Sequence, residues 1–318
     1  MGVRPTRSYG AANPRSMAAP TTTALDAPRL ASLPAEREQL EFSSRSVVFV
    51  EDGGRLLRAW GPIHRPWVLG VEARGPRWRV EAWGADPPRA RAAVRALFSL
   101  DHRLEEFYRL VRDEPALRGT ERRFRGLRLP RDAHLYEALV HSILGQQLSV
   151  AAANAVKRRL FERTGSFLEA DGFEVPYVPT PGRLRAIPPD GLRALGMSGA
   201  KARALSALAR SFRGPPSTVP DLSLTPLEEA IDRLARQPGV GRWTAENALL
   251  RGTGRTDVFV AGDLGIRVAL DEYGVVARDA PEAAARSWGE RHYPGWGSYA
   301  TLYLWRRLVV DRSRAQGG

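Results

Sequence analysis

Gln237-Pro238-Gly239-Val240-Gly241-Arg242-Trp243-Thr244-Ala245 is the stretch on which the reading of this chain turns. It lies between two segments with helical apolar spacing. On its N-terminal side, Thr225-Pro226-Leu227-Glu228 reads as a capping box with Pro at the first helical position, and Leu227, Ile231 and Leu234 form the apolar stripe. The two glycines allow a tight hairpin whose backbone N–H groups point outward, clear of any Cβ. Outward amides beside a helix N-terminus suit a phosphate oxygen. Such a hairpin holds a DNA backbone without reading its sequence. Gly-x-Gly alone favours a plain helix connector; Pro-Gly-Val-Gly between amphipathic helices on a basic chain moves the reading toward DNA.

The chain has 48 Lys and Arg against 35 Asp and Glu in 318 residues, a formal net charge of +13. Basic side chains that neutralise phosphates gain by counterion release, so a polyanion is the first partner to consider. Charge alone fits a solvated basic surface equally well. Cysteine is absent, which excludes thiolate zinc, an iron–sulfur cluster, a thiol nucleophile and any disulfide. Lysine occurs only as Lys157 and Lys201, so a Schiff base must use one of those or the terminal amine. His64, His102, His134, His141 and His292 are scattered, with no pair at ligand spacing, so no metal site is expected.

Outward from the hairpin, the pattern stays helical back to Arg128-Leu129-Pro130 and forward to the end. Leu135, Leu139 and Ile143 share helical spacing, and Ser149 and Gly165 read as start and stop of the next helix. A Pro-rich stretch interrupts at 172–189; Ala200, Ala204, Leu208 and Phe212 mark another helix, and three more follow near 264–273, 281–292 and 298–312. Before this, Ser46–Val50, Arg55–Trp60, Trp67–Glu72 and Arg77–Trp83 are short β-type runs, and Pro88–Leu97 reads as a helix. Trp78, Val80 and Ala82 alternate with Arg77, Arg79 and Glu81, as in a strand with one buried face. The fold class is therefore α+β, in three parts: a disordered tail over 1–38, a small α+β domain over 39–125, and an all-α domain over 126–318. Hydrophobic residues, 43% of the chain, allow a sizeable core. No apolar run approaches the roughly 20 residues of a membrane helix. The first residues lack the core of a secretory signal, so the expected location is cytoplasmic, at the nucleoid in a bacterium, with the chain a monomer.

Asp263, between Gly262 and Leu264 at a helix start, is a good N-cap, and a carboxylate there also suits a developing sugar cation or an attacking water. The two roles are compatible.

Three blocks in order carry a resemblance. Pro238–Ala245 resembles the hairpin of the helix–hairpin–helix DNA glycosylases. Asp257-Val258-Phe259-Val260-Ala261-Gly262-Asp263 lies where that superfamily places its catalytic aspartate, with Asp257 read as structural. Ile143-Leu144-Gly145-Gln146-Gln147-Leu148-Ser149 is similar to a block of the alkylpurine branch, the AlkA-type DNA-3-methyladenine glycosylases II. Over roughly 40–312 the resemblance implies a small TBP-like antiparallel β domain followed by a helix–hairpin–helix glycosylase domain. It implies a monofunctional DNA glycosylase that flips alkylated purines out of duplex DNA and hydrolyses the N-glycosidic bond in base excision repair.

By the same resemblance Asp263 is catalytic, and Trp243 and Trp296 form the base pocket. Gly239, Val240, Gly241 and Thr244 hold a phosphate, and Gln147, with Leu148 beside it, fills the vacated stack. Trp243 stands where lyase-active members carry their Schiff-base lysine. An alkylated purine is electron-deficient and stacks on an indole face; for Trp296 a core role is an equal reading. No organic cofactor is implied, and a monovalent cation at the hairpin carbonyls is. Asn247 and Leu264 replace tyrosines of the best-known member, which leaves substrate breadth open. A non-catalytic DNA-binding protein and a glycosylase for another lesion class remain as alternatives.

Overall fold

A computed structural model describes residues 15–16, 19–26, 46–74, 77–212 and 221–317. The strands, in chain order, are β1 (Arg15–Ser16), β2 (Thr21–Asp26), β3 (Phe49–Asp52), β4 (Arg55–Trp60), β5 (Trp67–Arg74), β6 (Arg77–Trp83), β7 (Phe167–Ala170) and β8 (Phe173–Pro176). The helices are α1 (Pro87–Leu97), α2 (Leu104–Val111), α3 (Thr120–Arg123), α4 (Leu135–Gly145), α5 (Val150–Thr164), α6 (Pro181–Arg185), α7 (Pro189–Ala194), α8 (Gly199–Ser211), α9 (Leu227–Ala235), α10 (Arg242–Gly252), α11 (Leu264–Glu272), α12 (Glu282–His292) and α13 (Gly297–Gly317). An antiparallel sheet thus precedes a long helical region, as expected for an α+β chain.

The described residues form two compact units, interleaved along the sequence rather than divided near residue 125. One takes residues up to 94 and 144–212; the other takes 95–143 and 221–317.

In the first unit the sheet order is β2-β6-β5-β4-β3. Its alternation behaves as the sequence suggests: Trp78, Val80 and Ala82 are buried. Glu81, on the other face, is buried too, because Arg55 and Arg79 neutralise it at 3.2 and 2.6 Å. Two expectations are corrected here. The 1–38 tail is not disordered throughout: Thr21–Asp26 pairs antiparallel with Arg77–Ala82 and buries Leu25. A free edge on β6 supplies the partner that the polar run Thr21-Thr22-Thr23 cannot announce by itself. The region after 126 is not all-α either. β7 and β8 form a hairpin whose Leu168, Ala170 and Val175 pack on Leu57, Val68 and Trp83 of the five-stranded sheet.

The second unit holds α2, α3, α4 up to Ile143, and α9–α13. Its helices bury the stripes that the spacing suggests, including Ile231, Leu234, Leu304 and Leu308. The capping box at α9 does not form. Pro226 takes the cap position without a side-chain bond, because Glu228 is drawn away to Arg242.

Gly297 shows how tightly α13 is docked. A Cβ there would lie 2.7 Å from the backbone N of Phe259 and 2.9 Å from the carbonyl carbon of Val258. Backbone cannot yield as a side-chain tip can, so Gly297→Ala is expected to cost about 1–3 kcal/mol in urea denaturation. Gly145→Ala, with open space around it, should stay within about 0.5 kcal/mol.

Candidate active site

The hairpin forms between α9 and α10. Gly239 takes φ +78°, a backbone open to glycine at no steric cost, and the Val240 N–H donates to the Gln237 carbonyl at 3.1 Å. Val240 is buried and pins the turn to the interior, while Gly239 and Gly241 are exposed. Gly241 caps α10 without a side-chain acceptor. The first-turn N–H groups of a helix have no intrahelical partner, so this start is open to an external anion. Thr244 departs from expectation: it is 2% exposed, because it lies on the α10 face that also buries Ala245 and Ala248, and its hydroxyl is not presented to a phosphate at the surface.

Arg242 fastens the hairpin to its surroundings. Its Nη1 and Nη2 donate to Glu228 at 2.8 and 2.6 Å, and its Nε donates to Glu246 at 2.9 Å. Arg286 on α12 reaches the same Glu246 oxygen at 2.6 Å. Burial pushes the Glu246 carboxyl up from its ordinary pKa, and the two guanidiniums oppose that shift.

Asp263 sits at the end of an irregular segment suspended from α13. Ser298 Oγ accepts from Val258 N at 3.1 Å and donates to the Arg255 carbonyl at 2.7 Å, while Thr301 Oγ1 accepts from Val260 N at 3.2 Å. Arg255 holds Asp257 through Nε and Nη2 at 2.9 and 2.6 Å. Asp263 caps α11 through Oδ1, which accepts from Ile266 N at 3.2 Å. The same oxygen accepts from the Trp305 indole N–H at 2.9 Å. Oδ2 accepts from the Trp243 indole N–H at 3.1 Å. The half-buried carboxylate is thus fixed by a backbone amide and two indoles.

Trp305 was not legible in the sequence. It follows Leu304 in an apolar helix and reaches Asp263 across 42 positions, so no local spacing marks it. The two positions noted as departures behave differently from each other. Leu264 is 64% exposed beside Asp263, whereas Asn247 is buried and donates to the Trp243 carbonyl at 3.0 Å, bracing the tryptophan from behind.

The structure joins Trp243 directly to Asp263. Trp296 packs instead into an aromatic cluster with Phe107 (ring centroids 6.0 Å) and Tyr299 (5.6 Å), half-buried. His102 meets Tyr299 there, its Nδ1 2.9 Å from the hydroxyl. Burial, with Arg128 and Arg131 adding to it, pushes the imidazole down to about 4.

Gln147 and Leu148 belong to the other unit. Gln147 is exposed with φ +52°, and Leu148 is 39% exposed. Neither lysine presents a free amine: Lys157 is fully buried, and Lys201 Nζ donates to the Leu144 carbonyl at 3.1 Å. Asp132, Glu137 and His141 place one ligand-type atom each within 4.8 Å of one another, all buried, a grouping the scattered histidines did not suggest. Glu137 already accepts from Ala133 N at 2.8 Å and faces His141 Nε2 at 3.5 Å.

Residues 140–291 match the profile of the HhH-GPD superfamily base excision DNA repair proteins. The chain is similar to DNA-3-methyladenine glycosylase 2 of Escherichia coli strain K12, 38% identical over 182 residues, which are 57% of this chain and 60% of that protein. It is also similar to DNA-3-methyladenine glycosylase of Bacillus subtilis strain 168, 29% identical over 215 residues, 66% of this chain and 69% of that protein. Among solved structures, a 3-methyladenine DNA-glycosylase from Archaeoglobus fulgidus has the same fold: TM-score 0.78 at 22% identity, covering 90% of this chain and 97% of that one. The matched stretch runs from α4 into α12, through the hairpin and the segment that ends at Asp263, and the chain spans less than two thirds of the length of the Escherichia coli relative.

Proposed function

We propose that this protein is a monofunctional DNA glycosylase that removes alkylated purines, of the 3-methyladenine and 7-methylguanine type, from duplex DNA in base excision repair. The observation that carries the reading is the Asp263 carboxylate, held between the indole N–H groups of Trp243 and Trp305 one helix away from the hairpin. When the N-glycosidic bond breaks, the base leaves with the bonding electrons and the sugar becomes cationic. A fixed anion stabilises that cation as it develops. Water then adds to the anomeric carbon and loses a proton, leaving an abasic site. A base already positively charged is a good leaving group and needs no general acid, consistent with one carboxylate serving alone. The faces of Trp243 and Trp296 stack on the extruded purine.

The grip on DNA is assigned to the exposed hairpin. Gly239 and Gly241, with the first turn of α10, hold a phosphate through backbone N–H groups; Val240, whose own N–H is engaged by the Gln237 carbonyl, anchors the turn, and Thr244 contributes through its backbone rather than its hydroxyl. Gln147 and Leu148 fill the gap left by the base. Neutral carbonyl oxygens on this turn are the donor type that suits a weakly held monovalent cation. Such an ion would add positive charge beside the phosphate, and no step of the cleavage runs through it. Lyase chemistry lacks a nucleophilic lysine amine, because both lysines are buried.

The test is release of free methylated base from alkylated duplex with the strands left uncut. Absence of release by folded, DNA-binding protein would overturn the reading. The hairpin is tested separately by Gly241→Ala. Its φ is −86° and nothing lies within 4 Å of the added Cβ, so the melting temperature should be unchanged. A methyl group on the face that meets the phosphate should nevertheless weaken duplex binding roughly ten-fold in a fluorescence anisotropy titration. Wild-type affinity in this variant would place the phosphate elsewhere.

A further inference from the structure

Lys201 is one of two lysines in a chain whose other basic residues, histidines aside, are all arginine. It lies at the start of α8, where Ser198 caps the helix by accepting from Lys201 N at 3.3 Å. The side chain is buried, 8% exposed, and its ammonium donates to the Leu144 carbonyl at 3.1 Å. Leu144 is the penultimate residue of α4. Carbonyls of the last helical turn have no intrahelical partner, and a cation there also meets the negative end of the helix dipole.

Beyond Leu144 the chain turns at once through Gln147, in the left-handed region at φ +52°, with Leu148 N donating back to the Gly145 carbonyl at 3.4 Å. Ser149 then caps α5 by accepting from Ala152 N at 3.2 Å. Between these two fixed ends the loop exposes Leu148, at 39%, and the first residue of α5, Val150, is 44% exposed beside it. A loop that enters a base stack must resist the stack's tendency to close, so its base has to be stiff. Burying an ammonium against a carbonyl is a poor way to gain stability, since an apolar side chain of equal length would pack there without the desolvation cost. The burial of Lys201 pushes its pKa down, in keeping with that cost.

We propose that Lys201 is a positioning residue: through the Leu144 carbonyl it sets the Gln146–Leu148 loop in the posture that displaces a damaged nucleotide. The proposal rests on the glycosylase reading and adds a residue that touches neither base nor sugar.

The test compares wild type, Lys201→Met, Leu148→Ala and the double variant on a duplex carrying 7-methylguanine beside 2-aminopurine. Two quantities are read: the fluorescence rise as the stack opens, and the single-turnover rate of base release. Lys201→Met keeps chain length and apolar packing. It is expected to lose between about ten- and a hundred-fold in both, the size found when a positioning group shifts by roughly an ångström. Binding to undamaged duplex should be unchanged, because the hairpin carries it. If Lys201 acts through the loop, the double variant is no slower than the slower single variant, whereas independent effects would multiply.

Multiplying effects, or wild-type stack opening in Lys201→Met, would overturn the proposal. If Lys201→Met fails to fold, Lys201→Arg serves in its place, since it keeps the charge but not the compact head group. No base release by the wild type in the same assay would instead sink the glycosylase reading, and this proposal with it.

Discussion

Asp263→Asn is expected to lower base release from alkylated duplex by at least about 10²-fold, the range seen when one fixed electrostatic partner of a transition state is removed. The choice of asparagine is what makes the result readable. Asparagine caps helices about as well as aspartate, and its Oδ1 accepts from Ile266 N and Trp305 Nε1 as the native oxygen does. The cost to stability should therefore stay below about 1 kcal/mol. At the other position an amide NH₂ would face the Trp243 indole N–H, donor against donor. The charge is lost and the local geometry strained at one point only. Duplex binding should persist, because the hairpin of residues 237–241 is untouched. Single-turnover release on methylated DNA, with anisotropy for binding, separates the two quantities. If Asp263→Asn releases base at the wild-type rate, the carboxylate is only a helix cap and the non-catalytic reading gains.

Where the sequence was legible, the signal was local. Strand β6 lies at Arg77–Trp83 because the alternation of Trp78, Val80 and Ala82 acts within a few residues, and β4 lies at Arg55–Trp60 because Gly53-Gly54 and Gly61-Pro62 punctuate it. Ser149 and Gly165 bound α5 as caps for the same reason. Asp263 could be read because Gly-Asp-Leu at a helix start is a cap signature whatever else the residue does. Non-local features escaped. Strand β2 exists because β6 offers it an edge, and the polar run Thr21-Thr22-Thr23 has no apolar alternation to report that. The β7–β8 hairpin is stabilised by a sheet laid down a hundred residues earlier in the chain. Thr244 suits a phosphate by position, yet α10 turns its side chain inward. Glu228 looked like a capping-box residue until Arg242 offered two charge-assisted bonds in place of one backbone N–H. In each case a tertiary partner outcompeted a sound local preference.

Trp305→Phe is the variant that separates holding the carboxylate from holding the base. Phenylalanine keeps a ring at the position but removes the N–H that reaches Oδ1 at 2.9 Å. A hydrogen bond to a charged group contributes about 1.5–3 kcal/mol, so losing this one should lower the single-turnover rate roughly ten- to a hundred-fold. Oδ1 is then held by the Ile266 N–H alone, at 3.2 Å, and Oδ2 by the Trp243 indole at 3.1 Å, so the carboxylate is aimed less tightly. The half-saturating DNA concentration should hardly move, since no stacking role is assigned to Trp305. Trp243→Phe makes the informative contrast. It removes the partner of Oδ2 and also shrinks the surface proposed to stack on the purine, so both rate and apparent affinity for damaged duplex should fall. A shift in affinity alone for Trp305→Phe would make that residue part of the base pocket. An unchanged rate would mean that Trp243 and the α11 amide suffice to aim the carboxylate, and that the second indole only fills space.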